Sequence, residues 1–166
     1  MAEPQDTQAA LRSLRTRIEE LERRRRETVD GLRFAVLGSA LAAGLVALTA
    51  TTWVVDEDGD EPYTLWGLVP TGWQALVMLG LVAAVALTTP ALLLTAHPSR
   101  AGHLALVWVC LLTAVWVIVL NAVVPDDADT APGRWLTLLT ALAVAAVHGF
   151  RAEELSGRRA VSSAGQ

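Results

Sequence analysis

The side chains of this chain that could do chemistry are three histidines, His97, His103 and His148, one cysteine, Cys110, and a run of carboxylates from Asp56 to Glu61. Three imidazoles at one depth could bind a transition metal or sense pH. Each stands at the end of an apolar block, and they read as independent interfacial groups. A lone cysteine forms no intrachain disulfide and supports neither Cys-x-x-Cys redox chemistry nor a cysteine zinc site. Cys110 lies inside an apolar block and reads as a small buried hydrophobe. The run Asp56-Glu57-Asp58-Gly59-Asp60-Glu61 alternates oxygen ligands, yet it lacks the Gly at position six and the distal Glu of a calcium loop. It reads as a turn at Asp58-Gly59, after which Tyr63, Leu65, Trp66 and Leu68 pack onto the neighbouring bundle end. No nucleophile–base pair or ligand set is assembled. The expectation is therefore a protein that is not an enzyme and has no cofactor or metal.

These residues lie in or beside long apolar blocks, uncharged except for Arg33 at the inner edge of the first. Of 166 residues, 53% are hydrophobic and only 18% charged, below the quarter or so usual in soluble chains. The blocks run over about 32–55, 72–96, 104–124 and 135–150. A helix rising about 1.5 Å per residue needs about 20 residues to cross the hydrocarbon. The pattern predicts an all-α integral membrane protein, a bundle of four transmembrane helices over 32–150. The fourth block is short, and its crossing would need Arg134 and His148 to snorkel at its ends, or local thinning of the bilayer. A charged stretch precedes the first block, so no cleavable signal peptide is expected and that block stays as an anchor. Residues 151–166 read as a flexible tail.

Polar residues inside the blocks are few. Span one holds Gly38-x-x-x-Ala42, Ser39-x-x-x-Ala43 and Ala40-x-x-x-Gly44, spacings that let helix backbones approach. This makes Gly38, Ala42 and Gly44 the expected packing residues. Pro90 in span two removes a backbone donor, with Thr88 and Thr89 available to the freed carbonyls. Asn121 in span three reads as an interhelical hydrogen bond rather than a transport site. Trp108 and Trp116, eight positions apart, read as packing or lipid-facing rings.

All 13 basic residues are arginine; with the wealth of Ala, Val and Leu this points to a GC-rich coding genome. Every arginine except Arg134 precedes span one, links spans two and three, or follows span four. The opposite loops hold Asp56, Glu57, Asp58, Asp60 and Glu61, then Asp126, Asp127 and Asp129 in a short, solvated final loop. The positive-inside rule places both termini in the cytoplasm and the chain in the cell membrane. Trp53, Tyr63, Trp66, Trp73 and Trp135 then fall at the outer boundary, where amphipathic rings suit the headgroups.

Before the first span, residues 1–31 form a separate segment. Residues 7–30 read as a helix capped by Asp6 or Thr7. Leu11, Leu14, Ile18 and Leu21 follow 3-4-3 spacing, a seam of about two heptads that ends at Arg25 and Thr28. Glu19–Arg23, Glu20–Arg24 and Glu22–Arg26 stand at i,i+4 in the favourable order. Two readings stay open: an amphipathic helix lying on the protein or membrane, and a short coiled-coil helix for self-association or a protein partner. The run Arg23-Arg24-Arg25-Arg26 beside the membrane suits topology setting and anionic headgroups. Its acidic neighbours Glu19, Glu20 and Glu22 argue against nucleic acid.

Four spans, a longer first outside loop with Leu65-Trp66-Gly67-Leu68 and a short third loop resemble the tetraspan layout of claudin-type proteins. The family's Gly-Leu-Trp order and its loop cysteine pair are both missing, so no functional residue carries over. In pattern, residues 32–150 are more similar to small four-span membrane proteins of actinobacteria, a resemblance that implies no activity. The expected function is non-enzymatic: an interaction, scaffold or regulatory module working through the cytoplasmic N-terminal helix. The alternative is a small transporter subunit or oligomeric pore.

Overall fold

The computed structural model describes residues 3–55, 62–95, 99–123 and 129–164. Its elements in order are α1 (Glu3–Leu48), β1 (Thr52–Val55), β2 (Pro62–Thr64), a short 3-10 turn (Val69–Thr71), α2 (Trp73–Leu94), α3 (Arg100–Val123), β3 (Asp129–Thr130) and α4 (Pro132–Ala164). The chain divides into two compact units, Met1–Phe34 and Ala35–Gln166. The first is helical. The second holds the rest of α1 and the other elements.

Among the described residues four helices are long and apolar enough to cross a membrane: Leu11–Leu48, Trp73–Leu94, Arg100–Leu120 and Pro132–Gly157. Several boundaries differ from those expected. The N-terminal helix and span one are one helix already under way at Glu3, so Asp6 and Thr7 lie inside it rather than capping it. That helix ends at Leu48 instead of Val55, because hydroxyls compete for its last carbonyls. Thr49 Oγ1 donates to Val46 O and Thr51 Oγ1 to Leu48 O, each at 2.7 Å, and the Trp53 indole also donates to Leu48 O at 2.8 Å. The β-branched residues that follow pair as strand.

The fold is thus helical with a small antiparallel sheet of order β2-β1-β3, where only helices were expected. Its register shifts between Thr52 and Val54. Such an irregularity lets consecutive residues Trp53 and Val54 both turn inward, which strict alternation forbids. Trp53 is therefore buried rather than at an interface. Leu65 is buried, with Tyr63 and Leu68 packed against the core as expected. Trp66 remains exposed, its indole donating to Thr49 Oγ1 at 3.0 Å. The final loop contributes β3 to the sheet rather than standing wholly in solvent. The calcium reading and the Asp58-Gly59 turn lie outside the described residues.

α3 starts before the expected span because Ser99 caps it. Its Oγ accepts from Gly102 N at 3.3 Å and its carbonyl from His103 N at 3.2 Å. α4 starts with Pro132, a favoured first-turn residue, and runs 33 residues to Ala164. The span expected to be short is long, and most of the tail expected to be flexible is helix.

Inside the second unit the inward face of each helix repeats at 3-4 spacing, the geometry of a supercoiled bundle. The stripes are Ala35, Gly38, Ala42 and Leu45 on α1, then Ala75, Met78, Val82, Val85 and Thr89 on α2. They continue as His103, Leu106, Cys110, Thr113 and Val117 on α3, and Arg134, Thr137, Ala141, Val144 and His148 on α4. Cys110 is buried as expected. Small and polar residues crowd these stripes, while Leu87, Leu94 and Trp108 are 74%, 70% and 72% exposed. An outer surface of that kind calls for an apolar solvent.

Candidate functional site

Among the described residues α3 and α4 pack closely along one another, and His103 and His148 meet within that contact. Ser99 fixes the start of α3, which sets His103 one turn in and on the inward stripe. Both rings are fully buried. Their Nδ1 atoms stand 2.8 Å apart, with ring centroids at 5.1 Å and planes inclined by 34°. That is hydrogen-bond length for a pair in which one ring donates and the other accepts. Neither Nε2 atom has a hydrogen-bond partner. Arg151 stands one turn after His148 on α4. Arg151 also pairs with Glu154 at 2.7 Å.

This corrects the reading of the histidines as independent interfacial groups, at least for these two; His97 lies outside the described residues. It also corrects the expected snorkelling of His148 and Arg134. Arg134 is 2% exposed, and Nε, Nη1 and Nη2 have no hydrogen-bond partner. Ionisable groups therefore lie inside the four-helix unit rather than only at its rim. Among the described residues no group of three His, Cys, Asp or Glu side chains is placed to hold a metal ion.

The expected packing residues fall in different settings. Gly38 is buried, and a Cβ there would collide with the end of the Leu93 side chain and touch Thr89 and Val147 at ordinary contact distance. Ala42 is buried, whereas Gly44 has open space where a Cβ would stand. Asn121 is in the last turn of α3, and its side chain lies outside the described residues. Thr88 Oγ1 donates to Ala84 O at 2.6 Å rather than to the Ala86 carbonyl that Pro90 leaves free; the buried Thr89 Oγ1 has no partner. Trp108 faces outward. Trp116 packs against the core, with its ring 5.7 Å from that of Trp73 and its indole donating to Gln74 O at 3.0 Å.

In the first unit Leu11, Leu14, Ile18 and Leu21 are 61%, 54%, 53% and 66% exposed. Arg23, Arg24, Arg25 and Arg26 are exposed as well. Glu20 pairs with Arg24 at the expected spacing, while Glu19 takes Arg15 at 3.1 Å. Arg25, Arg26 and Arg33 line a shallow groove together with Glu22 and Asp30, so carboxylates interleave the basic run.

No protein-family model, curated protein or solved structure matches the chain.

Proposed function

We propose that this is a multi-pass protein of the cell membrane, with both termini in the cytoplasm, that acts through contacts of its N-terminal helix and catalyses no reaction. One observation supports this above others: large apolar side chains at 3-4-3 spacing, Leu11, Leu14, Ile18 and Leu21, stand more than half exposed on a charged helix. Such a stripe gains free energy when covered, about 25 cal/mol per Å² of apolar area. The spacing is that of a seam between two like helices, so the proposed occupant is a second copy of the same segment. Arg23, Arg24, Arg25 and Arg26 then serve to hold that segment at the inner face and to meet anionic headgroups.

Disulfide crosslinking tests the seam. In a Cys110→Ala background, Leu14→Cys or Ile18→Cys should give a dimer band and Thr16→Cys should not. Equal bands at all three positions, or none, would contradict the pairing. Deleting residues 1–30 should abolish association of the purified protein. Unchanged association would count against the N-terminal helix as its contact surface.

A second reading, a small transporter subunit or oligomeric pore, is favoured by the burial of His103, His148 and Arg134, since ionisable groups within membrane helices commonly mark ion or proton paths. Substrate-dependent flux into proteoliposomes that is lost in Asn121→Leu would select it. No flux above protein-free liposomes would count against it.

A further inference from the structure

The His103–His148 contact admits two occupants between the facing nitrogens, a metal ion or a proton. Metal–nitrogen bonds of about 2.0 Å set two ligating nitrogens about 3.3 Å apart at a tetrahedral centre and about 4 Å apart at a linear one. The observed 2.8 Å is too short for either. It matches the cis spacing of a square-planar or octahedral centre, about 2.8 Å, but such a centre needs further ligands, and among the described residues no group of three His, Cys, Asp or Glu side chains is placed to supply them. It is also an ordinary hydrogen-bond length. A proton is what fits.

We propose that the His103–His148 pair is a proton-binding clamp that joins α3 to α4, holds through the uptake of one proton and opens on the uptake of a second. The reasoning is a count of protons and lone pairs. Two neutral rings carry two N–H groups. The donor ring uses its Nδ1–H in the bond and keeps a lone pair on Nε2. The acceptor ring uses its Nδ1 lone pair and keeps its proton on Nε2. Both Nε2 atoms are without partners, so the donor's Nε2 lone pair is the one free base of the pair. A first proton goes there. The donor becomes an imidazolium whose Nδ1–H still points at a neutral acceptor, which shortens and strengthens the bond. A second proton has only the acceptor's Nδ1 left to bind. Two N–H groups would then face each other between two cations, and the rings must part.

Repulsion between the two rings opposes the second step and favours re-closure, and the charged side chains near this end of the helices are of both signs. Among the described residues, α3 brings Arg100 and α4 brings Arg151, Glu153 and Glu154. α2 and residues 35–48 of α1 bring no charged side chain. Glu154 is paired with Arg151. Because the pair lies within the α3–α4 contact, parting the rings separates α3 from α4 at this end.

The test uses the full chain in lipid nanodiscs with ¹⁵N-labelled histidine, in a His97→Gln background so that only the two rings report. At neutral pH the Nδ1 atoms should show scalar coupling across the hydrogen bond. On acidification the coupling should survive the first protonation and vanish with the second. Spin labels at Ala101→Cys and Glu153→Cys, with Cys110→Ala, should move apart in that second step alone and return when the pH is restored. Absence of coupling at neutral pH would overturn the clamp. So would a bound metal ion whose removal by chelator changes both ring signals. The double substitution His103→Leu/His148→Leu should abolish the acid-dependent movement, and the same movement in that variant would also overturn the proposal. Should that variant not fold, the coupling in the native pair still decides.

Discussion

A guanidinium withdrawn from water without a counter-charge is expensive, and Arg134 is buried with its three nitrogens lacking hydrogen-bond partners. Arg134→Met keeps the bulk and removes the charge. It should stabilise the purified protein by about 1–4 kcal/mol, the gain found where buried ion pairs give way to apolar side chains. Thermal unfolding in detergent reads this, and an unchanged or lower midpoint would contradict the burial. Gly38 and Gly44 make a second comparison. A methyl at Gly38 collides with Leu93, whereas Gly44 has open space. Leu93 meets the methyl at Gly38 with the end of a flexible side chain that can turn aside, so Gly38→Ala should be less favourable than Gly44→Ala by about 1 kcal/mol, the lower end of overpacking costs. Gly44→Ala should be neutral or gain up to about 1 kcal/mol in helix propensity. Equal effects of the two would mean that α1 does not approach α2 and α4 at Gly38.

The helices are the part of the fold most legible in the sequence, because about 20 uncharged residues in a row have few other structures open to them. Their ends were less so. Leu48 ends α1 through local hydroxyl bonds that uniform apolarity conceals, and the following β-branched residues look the same in a helix or a strand until the sheet is seen. The start of α3 was readable from Ser99, a capping residue just after Pro98. Ser99→Ala should cost about 1 kcal/mol and weaken the Nδ1 coupling between His103 and His148. An unaffected coupling would show that the cap does not position the ring. The inward faces were hidden for a physical reason. In helices apolar all round, burial is not marked by hydrophobicity, and only the 3-4 recurrence of small and polar residues reveals it. On α3 and α4 that recurrence joins His103 to Cys110 and Thr113, and His148 to Ala141, Thr137 and Arg134. Consecutive helices joined by a short link bring residues at similar distances from the link to one level. That shared level is the signal in the sequence that pairs the two histidines, and it is invisible when each is taken by itself as the end of a block.

For the molecule as a whole, the account rests on lipid surrounding the exposed leucines, valines and tryptophans, with the arginine-bearing segments on the cytoplasmic side. Cysteine labelling in intact cells tests this most directly. In a Cys110→Ala background, a membrane-impermeant maleimide should label Gly59→Cys without permeabilisation. It should reach Ser13→Cys and Ser162→Cys only after the membrane is opened. Labelling of Ser13→Cys and Ser162→Cys on opposite sides, or recovery of the chain in the aqueous fraction without detergent, would contradict the four-span arrangement.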